Sequence, residues 1–221
     1  MSKELFIFGT GGLAKEVTQL VEEINAVATE KYDVKGYVVT KPIEPFFRGK
    51  EVSSEEEFCA YLKKGHQANV VVAVGTPSGR RRIINSFSSY DIHYPCLIHP
   101  SSRLNPSISL KEGITICANV ICTVDIAVGR HTYINFGCSV AHDVYIGEFV
   151  QVNPMCAISG RVKIGDNCTI GAGSIILQGI EIGAGSTVGI GSVVLRNVKP
   201  MTTVFGNPAK QLPLREGIQN E

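Results

Sequence analysis

The chain has 221 residues, 44% of them apolar, with 21 basic and 20 acidic side chains and a net charge of +1. That length allows two modest domains, and charges of both signs mixed along the chain give no electrostatic case for nucleic acid or an acidic membrane surface. No apolar stretch is long enough to span a bilayer, the first residues lack a secretory-leader pattern, and seven cysteines without metal-type spacing read as reduced thiols of a cytoplasmic protein.

In chain order, Leu5–Phe8 reads as a buried strand, and residues 13–25 place Leu13, Val17, Leu20, Val21 and Ile24 at helical spacing. A second strand is expected over 34–40 and a helix over 54–64, capped by Ser53 or Ser54. A third strand follows over 69–75 and a further helix over 80–89. Alternating strands and helices predict a small parallel α/β, Rossmann-like domain over residues 1–95. Its first turn, Gly9-Thr-Gly-Gly-Leu-Ala14, fits the glycine fingerprint of a strand–turn–helix phosphate site. The second strand ends Val38-Val39-Thr40 without a ribose-binding acid, and the domain is too short for a second mononucleotide unit. The turn therefore points to a phosphate or nucleotide-sugar, with a purely structural turn as the alternative. Arg80, Arg81 and Arg82 open a helix and read as a solvated face, with approach to a phosphate as the alternative.

From Ile98 to Val194 every sixth residue is apolar, a period that fits neither a helix nor a simple strand. It predicts a parallel β-helix of short flat faces, three to a coil, so that Ile146, Ile164 and Ile182 stack at about 4.8 Å. The residue after each deep position is often small (Gly129, Gly147, Gly165, Gly171, Gly183, Gly189), as expected of corners with unusual backbone angles. The residue two before it also points inward, which places Cys138, Cys156 and Cys168 in the core. His142 and Asp143 follow the deep residue Val140 by two and three positions, at or near a corner; His131 reads as a solvated corner and His99 as a turn residue.

Both halves together resemble one branch of the hexapeptide-repeat acyltransferases. That branch holds the sialic acid O-acetyltransferases and the N-acetyltransferases of nucleotide-linked 4-amino sugars. The resemblance rests on Gly9 to Lys15, on Ala73-Val-Gly75 with Arg80, on Leu97-Ile-His-Pro100, on 135–147 and on the closing Phe205-Gly-Asn-Pro-Ala-Lys210. It implies a left-handed β-helix catalytic domain over 96–200, followed by an extension over 201–221, and a homotrimer with acetyl-CoA lying between subunits. It also implies no metal and no membrane insertion. By this resemblance His142 is the catalytic base beside Asp143, with the amide of Gly160 as oxyanion donor. Gly11, Gly12, Leu13, Thr40, Gly75, Arg80 and Asn135 are the expected substrate contacts. Gln151, Gly160, Ala172 and Ile190 are those of acetyl-CoA. The chain departs from the family at Leu13, where a histidine is common, at Val39 and Thr40, where some members carry acids, and at Gln151, where some carry a histidine.

The chemistry suits the residues. N-acetyl transfer needs a neutral amine and a base to take its proton, and an imidazole titrates near the working pH while a neighbouring carboxylate fixes its tautomer. The expected function is N-acetylation of a nucleotide-linked amino-deoxy sugar for surface polysaccharide or glycan synthesis. The rivals are O-acetylation of sialic acid or another surface sugar, and a non-catalytic nucleotide-sugar-binding β-helix. A zinc-dependent carbonic anhydrase on the same helix needs three converging histidines; only His131 and His142 lie within the core repeat, and no third histidine is spaced to join them.

Overall fold

The computed structural model describes residues 2–212; residues 213–221, the end of the expected extension, lie outside the described part. The first half contains β1 (Ser2–Phe8), α1 (Gly12–Val27), β2 (Lys31–Val39), β3 (Phe46–Phe47), β4 (Lys50–Ser54), α2 (Glu55–Lys63), β5 (Ala68–Val72), α3 (Pro77–Ser86) and β6 (Ile92–His93). They build one sheet in the order β3-β4-β2-β1-β5-β6, parallel throughout except for the β3–β4 hairpin. The hairpin and β6 carry no period in the sequence because β3 and β6 are two residues each. α2 begins in a capping box: the Glu57 N–H donates to Ser54 Oγ at 3.1 Å and the Ser54 N–H donates to the Glu57 carboxylate at 2.7 Å. α2 and α3 cover one face of the sheet through Phe8, Val38, Phe58, Val70 and Phe87.

α1 covers the other face and does more. Its apolar stripe packs on Leu5, Ile7 and Tyr37 and also on Leu97, Cys117 and Tyr133, which belong to the coiled half. One helix is thus shared by two domains.

The second half is a parallel β-helix of two-residue strands on three flat faces, in register every 18 residues, as Ile146, Ile164 and Ile182 show. The first face runs from Leu97–Ile98 through Tyr133–Ile134 and Gln151–Val152. The second runs from Arg103–Leu104 through Ser139–Val140 to Val193–Val194, and the third from Ser109–Leu110 to Glu181–Ile182. Each sixth residue from Ile116 to Val194 is at most 2% exposed. Beyond Met201 the chain keeps to the first face: Thr203–Phe205 pairs with Thr187–Val188, and Lys210–Gln211 turns back on it.

The corners differ from the sequence expectation. Left-handed backbone falls three residues after the deep position, at Asn119, Asp125, His131, Asp143, Phe149, Met155, Arg161 and Asn167, with φ between 54° and 61°. The glycines one residue after it have another cause. A Cβ on Gly129 would lie 2.5 Å from the backbone of Gly147, and one on Gly171 would lie 2.5 Å from the Ile190 nitrogen. They are small because the next coil passes over them.

The inward cysteines are hydrogen-bonded, not merely apolar. Cys138, Cys156 and Cys168 donate to the carbonyls of Asn153, Gly171 and Gly183 at 3.1–3.2 Å, and Ser174 donates to Gly189 in the same pattern at 2.9 Å. Each adds a donor to a carbonyl of the neighbouring turn; Gly171, Gly183 and Gly189 also accept the N–H groups of Ser174, Ser186 and Ser192 at 3.2–3.3 Å. No helix among the described residues is long and apolar enough to cross a membrane.

Candidate active site

The second face ends at a corner carrying His142 and Asp143. Asp143 takes φ +59°, which an Asp tolerates better than most residues, and its carboxylate lies 2.7 Å from His142 Nδ1. The pair is about half exposed, at 46% and 54% of the side-chain surface. An acceptor on Nδ1 puts the proton there and leaves the lone pair on Nε2, the state a base requires. Gly160 sits one coil further on, directly against the ring: a Cβ there would lie 2.5 Å from His142 Nε2. The corner thus fixes both the tautomer and the position of the imidazole.

At the opposite edge of the same face lies a groove of about 470 Å³. Lys15, Gln19 and Glu23 of α1 form one wall, and Ala118, Asn119, Asn135 and Phe136 form the other. Asn135 is 6% exposed, and its Oδ1 accepts the Phe136 N–H at 2.8 Å. His99 closes one end through a 2.7 Å bond to Glu23. Ala172 and Ile190 continue the Phe136 edge in the following coils, with Ile190 67% exposed.

The glycine turn lies at the C-terminal ends of β1 and β5. Gly9 has φ +115°, and a Cβ there would approach the Ala73 carbonyl to 2.9 Å. Gly11 and Gly12 face open space, with no neighbour that excludes a side chain. The first turn of α1 has no side-chain cap and no acid. Beside it a cavity of about 330 Å³ is lined by Thr10, Val39, Lys41, Ile43, Phe46 and Phe47. Ile43 and Phe46 are 94% and 62% exposed. The sequence reading missed both; the signal was two bulky apolar residues in the proline-bounded loop Pro42-Ile-Glu-Pro45-Phe-Phe. Leu13 is partly buried, packed against the core that α1 shares with the coils, while Gly75 is exposed. Thr40, also exposed, donates to Glu55 at 2.7 Å and accepts from Arg82 at 3.3 Å.

Three of the singled-out residues are buried. Arg80 is not free to meet a phosphate: it is 3% exposed, and its guanidinium is spent on acceptors of the chain itself. Gln151 is 4% exposed; its Oε1 accepts from Arg80 at 2.7 Å and its Nε2 donates to Asn153 Oδ1 at 3.4 Å. His131 is no solvated corner; it is 4% exposed between Tyr94 and Phe149. Arg80 and Gln151 are buried where α3 meets the first face, and His131 is covered beside them by Tyr94, Phe149 and Gly113.

Three family models match the chain: the PglD N-terminal domain over residues 4–87, the bacterial transferase hexapeptide (six repeats) over 143–178, and the hexapeptide repeat of succinyl-transferase over 161–196. A search of curated protein sequences returns no match. Among solved structures, PerB from Caulobacter crescentus in complex with CoA and GDP-perosamine is 28% identical, with a TM-score of 0.83 over 95% of this chain and 97% of that one. The acetyltransferase domain of PglB from Neisseria gonorrhoeae FA1090 in complex with acetyl coenzyme A is 27% identical, with a TM-score of 0.85 over 96% of this chain and 100% of that one. WeeI from Acinetobacter baumannii AYE shares the fold at 24% identity and a TM-score of 0.83, over 96% and 100% of the two chains. The chain carries a PglD N-terminal domain and hexapeptide repeats, and over nearly its whole length it has the fold of PerB and of the PglB acetyltransferase domain.

Proposed function

We propose that the chain is an acetyl-CoA-dependent N-acetyltransferase acting on the amino group of a nucleotide-linked amino-deoxy sugar, with His142 as general base and direct transfer of the acetyl group. The observation that carries the reading is the corner itself: Asp143 on Nδ1, Gly160 against the ring at Nε2, and an imidazole that is 46% exposed. The acyl donor and substrate class are supported by likeness to PerB, crystallised with CoA and GDP-perosamine, and to the PglB domain, crystallised with acetyl coenzyme A.

In this reading the sugar amine attacks the thioester carbonyl and Nε2 of His142 takes its proton as the C–N bond forms. The amide of Gly160 steadies the oxyanion. Collapse breaks the C–S bond, and the proton passes to the thiolate, giving the acetamido sugar and CoA. Gly11 and Gly12, glycines with no neighbour to exclude a side chain, leave room for a phosphate at the uncapped start of α1. The cavity beside Thr10, which Lys41 and Glu44 line together with Ile43 and Phe46, would take the base, and Asn135 would face the sugar from the groove.

Within one chain the second face separates His142 from that groove. The face is apolar, with Ile121, Ile175, Leu177 and Leu195 all 46–49% exposed. A homotrimer packed through it would bring the groove edge of one chain to the His142 edge of the next, with acetyl-CoA between them along Ala172 and Ile190. This arrangement deepens the reading: the site is complete only between subunits.

The test is a panel of UDP-, GDP-, dTDP- and CMP-linked amino sugars with acetyl-CoA, read by thiol release, on protein sized by light scattering. One nucleotide amino sugar should turn over, and His142→Ala should abolish transfer while acetyl-CoA binding and the three-chain mass persist. Wild-type turnover in that variant would remove His142 from the mechanism. Turnover of free or polymer-bound sugar alone would make the chain an O-acetyltransferase.

A further inference from the structure

We propose that Arg80 is a positioning residue, a latch that holds the glycine-turn domain in fixed register with the coil carrying His142 and thereby sets nucleotide-sugar binding without touching the substrate. The proposal rests on the functional reading above, but its geometry stands independently.

The guanidinium lies at the junction of three chain segments. Nη1 donates to the Val74 carbonyl at 2.8 Å and to Gln151 Oε1 at 2.7 Å, with a longer contact of 3.5 Å to the Gly75 carbonyl. Nη2 donates to the Val150 and Phe149 carbonyls at 3.1 and 3.3 Å, and Nε donates to the His131 carbonyl at 3.2 Å. The five N–H groups of the fork are all engaged. No carboxylate is among the partners. A buried cation held only by neutral acceptors is costly, and burial pulls this one down to about 10. A purely structural contact needs no charge there. The fork is justified by its shape, because only a planar five-donor group can hold carbonyls on both domains at once.

What it holds matters. On one side is the turn after β5, whose neighbour Ala73 abuts Gly9: the Ala73 N–H donates to the Phe8 carbonyl at 2.8 Å, and its own carbonyl is the atom that forbids a side chain on Gly9. On the other side are Phe149, Val150 and Gln151, which follow His142 and Asp143 around the same coil. A shift of the fork therefore moves the glycine turn relative to the catalytic corner. Displacements of about 1 Å far from the chemistry are enough to cost rate or binding.

The experiment compares wild type, Arg80→Lys and Gln151→Leu in the full-length protein. Lys keeps the charge but offers one point of attachment in place of the fork. The expected result for Arg80→Lys is a rise of about tenfold or more in KM for the nucleotide sugar, with KM for acetyl-CoA within twofold of wild type. Gln151→Leu, which removes one acceptor on the coil side only, should shift the same constant in the same direction by less. A loss of thermal stability with both KM values unchanged would reduce Arg80 to a structural role and overturn the proposal. Hydrogen exchange at the Ala73 amide, bonded to the Phe8 carbonyl, and at 149–151 gives a readout independent of turnover. Loss of protection at both segments together in Arg80→Lys supports the latch even if no nucleotide sugar is turned over. Loss at neither, or at one alone, refutes it. Failure of the wild type on the whole sugar panel is instead a failure of the functional reading.

Discussion

A histidine on an exposed corner must be held in one tautomer and one orientation before it can serve as a base. Asp143 supplies the first by a 2.7 Å bond to Nδ1, from a left-handed backbone position where most residues would be strained. Gly160 supplies the second by being absent: its missing Cβ is the space in which Nε2 lies. The glycine is not explained by its own backbone, which does not have positive φ. Gly160→Ala should therefore push the ring outward. The ring is 46% exposed and can swing into solvent, so the fold should survive with little change in melting temperature. A general base contributes typically 10²–10⁴-fold, and kcat should fall by roughly 100-fold or more, with a smaller change in KM for either substrate. Steady-state kinetics beside a thermal melt checks this. An unchanged kcat would mean that the position of the imidazole is indifferent to the reaction.

At the scale of the coil, the six-residue period was legible because each deep side chain keeps one phase for nearly a hundred residues. What the period did not reveal was why the glycines follow it. Their cause is the coil 18 residues away, a contact that local pattern cannot display, whereas the positive-φ corners are filled by residues as unlike as Asp125, Phe149 and Arg161. The site divides the same way. His142 and Asp143 could be read because they are neighbours in sequence, but the walls of the groove join Lys15 and Gln19 to Asn135 and Phe136, which only folding brings together. The inward thiols were read as small core residues, and their hydrogen bonds escaped notice because a thiol and a methyl look alike to a hydropathy pattern. That distinction is measurable. Burial pushes the Cys168 thiol up to about 11, so it stays protonated and donates to the Gly183 carbonyl at 3.1 Å. Cys168→Ser should be close to neutral, since Ser174 and Ser186 already make bonds of this kind. Cys168→Ala removes one of two bonds to the Gly183 carbonyl, which keeps the Ser186 N–H at 3.3 Å, and leaves a small void, and should cost about 0.5–1.5 kcal/mol. Urea unfolding of the two variants at equal protein concentration separates them. Equal losses would make the thiol a mere space filler.

For the molecule as a whole, the junction between the two domains governs how it answers to acid. His131 is buried there between Tyr94 and Phe149, beneath Gly113, with Arg130 beside it and Arg80 bonded to its carbonyl. Burial first, then the charges of Arg130 and Arg80, bring its imidazole down from 6.5 to about 4. The folded protein thus holds this ring neutral while the unfolded chain protonates it near pH 6.5. Below that pH the unfolded state binds the extra proton, and stability must fall. The contribution is complete above about pH 6.5 and is lost progressively as pH drops toward 4, for a total of roughly 3 kcal/mol. Carboxylates titrate in part of the same range, so the informative quantity is a difference between proteins. His131→Gln keeps a polar side chain of similar length but cannot take up the proton. Between pH 7 and pH 4.5 the wild type should lose roughly 2–3 kcal/mol more than this variant in urea unfolding, measured at one protein concentration because assembly also stabilises the folded state. The variant's curve should be the flatter, even if it starts lower at pH 7. Parallel curves would mean that His131 gains its proton as easily in the folded protein as outside it, and that the junction opens to water well before the coils unfold.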